Sequence, residues 1–597
     1  MTADRVTAVE RVHARFAAIE AADRPEVWIA LRETAVVLAD AAAVDARVAA
    51  GEELPLAGST FAVKDNIDVA GMPTTAGCPA FAYTPEVSSP AVARLIAAGA
   101  VLIGKTNLDQ FATGLVGTRS PHGAVRDARR PEYVSGGSSS GSAVAVALDF
   151  VDFALGTDTA GSGRVPAAFQ GIVGLKPTRG LVPTTGVVPA CRSLDCVSVF
   201  ARTLAEAREA LAVIAGPGPA DPLSRVAPSD ALLAAPPAAG ATAATGPRIG
   251  APDPAALVDL TDDARDAFGA ARDRIAAAGA EIVEIDIAPL LEAGALLYGG
   301  AFVAERHAAI GAFVESHADG VDPTVHQIVT AAAAPTASRL FADQERLGGL
   351  ALATRKLFAD LDAILLPTTT AQPTIAAVEA DPIGANAKLG VYTNCANLLD
   401  LCAVAVPAGE ADGGQFGVQI LAPAFNDVVA ADVASLLVDD SLASVPNPLS
   451  FVTHRVTKDR GLPIELFVAG AHLSGMPLNH QLTERGARLL GEARTAPHYR
   501  LFALDTQPPK PGVVRVEADG AALPGEVWLL SPAALGTFLA AIPQPMALGE
   551  VELDDGRAVV GFLCEPIALA GARDITAAGG WRAYLGGPTS RSSKPGS

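Results

Sequence analysis

Four short apolar runs, each stopping at a polar turn, constrain the fold of this 597-residue chain more than any other feature. They are TFAVKDN from Thr60, AVLIGKTN from Ala100, FALGTDTAGS from Phe153 and LDAILLPTT from Leu361. Apolar runs this short, bounded by turn residues, read as buried strands, because a buried helix needs about ten residues or more. Between them lie stretches with apolar residues at helical intervals, such as AVARLIAAG (91–99) and DDARDAFGAARDRIAAAG (262–279). Helices alternating with buried strands imply an α/β fold with a mixed or parallel sheet. EIVEIDI, from Glu281, reads as a return to the same sheet. Residues 1–50 read as Ala-rich helices, and 217–247, rich in Pro, Ala and Gly, as a surface excursion.

The chain is long enough for more than one domain. A turn-rich and charged stretch, VPNPLS to THRVTKDRG, marks a boundary, and short strands follow it. The expected organisation is a first domain over 1–445 with an N-terminal helical segment, then a linker over 446–461. A small α+β domain over 462–586 and a disordered tail over 587–597 complete it. A formal charge of −21 argues against nucleic acid as a partner, since phosphate binding needs Lys and Arg clusters. No run approaches the roughly 20 apolar residues that span a bilayer. The most apolar central run, AVAVALDFVDFAL, is interrupted by Asp149 and Asp152. The N-terminus reads as a charged amphipathic helix with no apolar signal region. Cysteines at 78, 191, 196, 395, 402 and 564 lack paired metal spacing and fit reduced, buried thiols in a cytoplasmic protein.

Three pieces carry the chemistry. GGSSSGSAVAVAL (136–148) could be a flexible linker or an anion cradle at a helix start. The apolar run that follows without a break opposes the linker, and GxxxxGK[ST] is missing for a nucleotide loop. GTDTAGSGRVPAAF (156–169) places Ser162 behind a strand end, where a tight turn of small residues can aim several N–H groups at one point, as acyl transfer requires. Lys64 lies within an apolar strand, where a charge is costly unless functional or paired; a surface lysine on an edge strand is the alternative. A histidine triad has less support: of nine histidines only His122 lies near these motifs, and no G-x-S-x-G elbow occurs.

In this order the three pieces resemble the amidase signature family, and PAAFQGIVGLKPTRG (166–180) is also characteristic of it. The resemblance spans roughly residues 25–440. It implies a mixed β-sheet core surrounded by helices and a Ser–cisSer–Lys triad. Ser162 would be the nucleophile, Ser138 (after a cis peptide bond) the proton relay, and Lys64, kept neutral by burial, the base. The backbone N–H groups of Thr159, Ala160, Gly161 and Ser162 would hold the oxyanion. A serine hydroxyl needs a proton acceptor, and a desolvated lysine supplies one at neutral pH.

Three further segments resemble one branch, the allophanate hydrolases: CRSLDCVSVFART (191–203), ALLYGGAFVAERHA (295–308), and VAGAHLSGMPLNHQL (468–482) with GWRAYL (580–585). The resemblance implies that Arg306 grips the substrate carboxylate and Tyr298 adds a hydrogen bond. On one helix their spacing would bring them to nearly the same face. Read without it, Arg306 is a solvated charge of an amphipathic helix. The same resemblance makes His472 of the C-terminal domain a candidate base for processing N-carboxycarbamate, although a structural histidine fits equally. The implied reaction is hydrolysis of allophanate to ammonia and carbon dioxide, with no metal or organic cofactor. Urea carboxylase would be a separate chain, because Met1, Met72, Met476 and Met546 precede Thr, Pro, Pro and Ala, with no Met-Lys pair for biotin. A homodimer is expected. The rival readings are a broader amidase, an inactive amidase-like scaffold, or the glutaminase-type component of an amidotransferase.

Overall fold

Successive residues of a strand point to opposite faces, so a strand apolar at every position must be covered on both sides. The computed structural model, which describes residues 6–228, 247–438, 463–506 and 508–586, meets this requirement. Its central strands are β1 (Trp28–Leu31), β2 (Thr60–Lys64), β3 (Val101–Thr106), β4 (Phe153–Asp158), β5 (Val173–Lys176) and β6 (Cys196–Ala201). They continue with β7 (Arg248–Ala251), β8 (Glu281–Glu284), β9 (Ala363–Pro367), β10 (Leu401–Ala411) and β11 (Gly414–Pro423). Together they form an 11-stranded sheet of order β1-β3-β2-β4-β6-β5-β10-β11-β9-β7-β8. β2 is parallel to both β3 and β4, β7 is parallel to β8 and β9, and the middle strands are antiparallel. Phe61, Val63 and Leu155 enter one apolar cluster, while Ala62, Ile103 and Ala154 enter a second. That division is the two-faced burial the sequence requires.

All four apolar runs are strands of this sheet, and EIVEIDI returns to it as β8. The N-terminal region differs from expectation in one respect. Helices run over Ala8–Ala22 and Thr34–Ala49, but WIAL between them is the edge strand β1, antiparallel to β3. Four residues carry too little pattern to mark a strand without its partner in view. The first helix is tied down by Arg15, which pairs with Asp152 at 2.6 Å.

The chain divides into two compact units, and the smaller one contains the described residues from Pro463 onwards. There, β12 (Ile464–Val468), β13 (Arg488–Arg494), β14 (Tyr499–Leu504), β15 (Lys510–Arg515), β16 (Pro524–Leu530), β17 (Met546–Glu552), β18 (Ala558–Cys564) and β19 (Arg573–Asp574) follow in sequence. They form a five-stranded sheet, β13-β16-β12-β18-β17, and a three-stranded one, β15-β14-β19. Phe467, Tyr499, Trp528, Phe538 and Trp581 fill its core. The linker expected over 446–461, the tail over 587–597 and residues 229–246 of the surface excursion lie outside the described residues. No helix among the described residues is long and apolar enough to cross a membrane. All six cysteines are free and buried.

Candidate active site

β2 and β4 lie side by side and parallel, so their C-terminal ends deliver Lys64 and Thr157 to the same edge of the sheet. Lys64 is fully buried, and its Nζ lies 2.8 Å from Ser138 Oγ and 2.7 Å from Thr157 Oγ1. Burial brings the Lys64 amine down to about 7, against the opposing pull of Asp109, Asp195 and Asp158; Arg306 adds to the lowering. Lys105, equally buried at the end of neighbouring β3, meets the Asp65 carboxylate at 3.0 Å. One strand lysine is therefore an ion-pair partner, and the other faces hydroxyls.

Ser138 precedes the helix Ser140–Ala147, and the Gly137–Ser138 peptide bond is cis. Ser139 secures this loop to β4: its hydroxyl donates to Thr157 O at 3.1 Å and accepts from Thr157 N–H at 3.3 Å. Gly137 tolerates no side chain, because a Cβ there would come within 2.2 Å of Asp109 Oδ2.

Ser162 sits in the turn after β4 and is 3% exposed. The turn is organised by Asp158, whose carboxylate accepts the N–H groups of Gly161 and Gly163, each at 3.0 Å, and a fork from Arg164 at 2.9 Å. Both partners of this ion pair are wholly buried, and Arg164 also reaches Gln419 Oε1 at 2.8 Å and Thr393 O at 3.1 Å. Charge-assisted bonds of this density fix a turn that backbone bonds alone would leave loose. Thr393 Oγ1 donates to Ala160 O at 2.7 Å, and Gly161 adopts φ +124°, where a Cβ would lie 2.3 Å from that same hydroxyl oxygen. Glycine is required there. One expected oxyanion donor is corrected: the Gly161 N–H is taken by Asp158 Oδ1 at 3.0 Å. Thr159 Oγ1 in turn donates to Asp195 Oδ1.

The Tyr298–Arg306 segment is not one helix. Tyr298 belongs to the helix Ala288–Gly299 and Arg306 to the helix Ala304–Ser316, with a break at Gly300. The two side chains still meet, with Arg306 Cζ 6.0 Å from the centre of the Tyr298 ring. Arg306 is 1% exposed, which excludes the solvated-charge reading. Its Nη1 donates to Thr113 Oγ1 at 2.6 Å, and its Nε has no partner among the described residues. Phe111 and Ala112, both at positive φ, turn the chain so that Thr113 meets this guanidinium. Tyr298, Thr113 and Asn394 line a cleft of about 600 Å³.

In the smaller unit His472 lines a separate cavity of about 190 Å³ with Gln481, Lys510, Met546 and Phe562. Its ring stacks on Phe562 at 4.9 Å, and Nε2 lies 3.0 Å from Gln481 Oε1. Burial lowers its basicity, which the Gln481 contact partly restores. Sequence reasoning missed Thr157, Asp158, Arg164, Thr113, Asp109 and Asp195. Asp158 alone had a local signal, as the acidic residue that opens the turn in GTDTAGS.

A sheet edge bearing Lys64, Ser138 and the Ser162 turn is accompanied by a sequence match in the same region. The Amidase family profile matches residues 10–429, and the chain belongs to that family. A second profile, described as the allophanate hydrolase C-terminal domain, matches residues 464–586. The chain is similar to an allophanate hydrolase from Kluyveromyces lactis, with 36% identity, 97% of each chain covered and a TM-score of 0.79. It is 40% identical over 554 residues to the urea amidolyase of Saccharomyces cerevisiae, covering 89% of this chain but 30% of that protein. It therefore spans about a third of the curated relative's length. A glutamyl-tRNA(Gln) amidotransferase component from Halobacterium salinarum is 35% identical over 413 residues, which is 64% of this chain and 95% of that protein.

Proposed function

We propose that the protein hydrolyses allophanate, with Ser162 as nucleophile, Ser138 as proton relay and Lys64 as base. The observation that carries the reading is the wholly buried Lys64 Nζ, 2.8 Å from Ser138 Oγ. An amine near neutrality at that distance accepts a proton through the relay, and a seryl oxygen then attacks the terminal amide carbon. The tetrahedral oxyanion is met by the amides of Thr159, Ala160 and Ser162. The C–N bond breaks, the leaving nitrogen takes the relayed proton and departs as ammonia, and Ser162 keeps the acyl group. Water then attacks the ester by the same route in reverse and releases N-carboxycarbamate, which loses carbon dioxide to give carbamate. The cavity around His472 is where the smaller unit would assist that second stage.

Substrate choice is supported by Arg306. A guanidinium buried to 1% with a spare donor is suited to a planar carboxylate, and Tyr298 lies over it from the cleft. The allophanate would be supplied by carboxylation of urea, a reaction assigned to a separate biotin-dependent chain, and a homodimer is the assembly proposed.

The test is ammonia release from allophanate, biuret, malonamate, glutamine and a long-chain amide, by the wild type and by Arg306→Ala. Allophanate should be the best substrate. The variant should raise KM for allophanate and malonamate about 10- to 150-fold, the scale of a charged hydrogen bond of about 1.5–3 kcal/mol. Equal losses for acids and plain amides would refute the carboxylate clamp. Preference for glutamine would move the chain to the amidotransferase-type reading.

A further inference from the structure

Behind the proposed triad lies a carboxylate that the mechanism above does not use. Asp109 is wholly buried just after β3. Its Oδ2 accepts the N–H groups of Gly117 at 3.0 Å and Val116 at 3.3 Å, and its Oδ1 accepts that of Arg119 at 3.0 Å. These donors are backbone amides, so the group is used as an acceptor on both oxygens, as an ionised carboxylate is. Burial pushes the Asp109 carboxyl up, and the charge of Arg119, 3% exposed, opposes that rise; Arg119 also donates to Thr113 O at 2.8 Å, which ties the same loop to the residue that meets Arg306.

The other side of Asp109 faces the relay. Its own N–H donates to Ser138 O at 3.1 Å. Its Oδ2 packs so closely on Gly137 that no Cβ fits between them. The backbone on both sides of the Gly137–Ser138 bond is thus held against one buried aspartate. Lys64 feels the charges of Asp109, Asp195 and Asp158 and, in opposition, Arg306; its direct contacts are the hydroxyls of Ser138 and Thr157.

We infer that Asp109 is a positioning residue of the triad, seating the Ser138 relay against Lys64 and supplying negative charge that favours a protonated lysine. The inference rests on the triad reading given above. In the catalytic cycle Lys64 gains a proton when Ser162 attacks and must hold it until the leaving group takes it. An uncompensated buried ammonium is costly, and a fixed carboxylate beside the relay lowers that cost without contacting the substrate.

The experiment is the pH dependence of kcat/KM for allophanate in the wild type and in Asp109→Asn. Labelling of Ser162 by a fluorophosphonate is followed in parallel and located by mass spectrometry. Wild-type kcat/KM should fall about tenfold per pH unit below about 7, as Lys64 becomes protonated. In Asp109→Asn the amine loses a stabilising negative charge, so the acid limb should move down by about one pH unit or more. At the plateau kcat should drop about 10- to 100-fold with little change in KM, because the relay is misplaced and the substrate clamp is not. A structural role alone would lower activity and leave the limb in place, and that result overturns the inference. If Asp109→Asn does not fold, Asp109→Glu is scored on the same plot. It keeps the charge in a space with no room for a further methylene, so an unmoved limb with lowered kcat sustains the inference, and a moved limb or unchanged kcat overturns it. A wild type with no limb near 7, or fluorophosphonate on a residue other than Ser162, would instead overturn the triad reading.

Discussion

Ser162→Ala should reduce ammonia release from allophanate by about 10⁵- to 10⁶-fold, the scale of nucleophile loss in serine hydrolases. The substitution removes one oxygen from a turn whose shape is set elsewhere, by Asp158, Arg164 and Thr393. Folding and substrate binding should therefore survive, and a non-hydrolysable dicarboxylate should bind the variant as it binds the wild type. Adding Lys64→Met to Ser162→Ala should cost little more, because residues acting as one unit lose their effect together. Rapid quench with isotopically labelled allophanate provides a direct check: the wild type should trap label on the Ser162 peptide and the variant none. Residual activity within tenfold of wild type would exclude Ser162 as the nucleophile.

Lys64→Met should lower kcat about 10²- to 10⁴-fold, the usual contribution of a general base. It should have an opposite effect on stability. The folded protein holds the Lys64 amine near 7, below its ordinary value of 10.5. Between these two values the unfolded chain binds a proton that the folded chain does not, so wild-type stability falls as pH drops from about 10 to about 7, and this contribution is constant below that. The methionine variant lacks it. Its melting temperature relative to wild type should rise as pH is lowered from about 10 to about 7, and then level off. A difference that does not vary with pH would mean that Lys64 enters the fold already charged.

How far the sequence reaches depends on whether a residue's meaning is local. Strands β2, β3, β4 and β9 were legible because each is a buried apolar run, and the Ser162 turn because GTDTAGS sets small residues directly behind the end of such a run. β1 was not, since WIAL becomes a strand only through β3. Lys64 and Lys105 each end an apolar strand, and burial cannot separate them. The distinction is the partner, Ser138 Oγ for one and Asp65 for the other, and both partners are set by tertiary packing. Arg306 shows the same limit in reverse, since its neighbours Glu305 and His307 suggest an exposed face and the fold buries it. Asp109 escaped notice because a carboxylate bonded to loop amides leaves no periodic trace.

The cysteines have a use outside the chemistry of amides. All six thiols are buried and reduced, and burial pushes each one up, Cys191 to about 12 and Cys395 to about 11. Thiolate, the form that alkylating reagents attack, is therefore scarce in the folded chain. Iodoacetamide at neutral pH should leave the native protein unmodified and mark each molecule only when it opens. Five of the sulfurs lie in the larger unit, and Cys564 lies in the smaller. Peptide-resolved labelling should thus time the opening of the two units separately within one polypeptide, with no probe introduced.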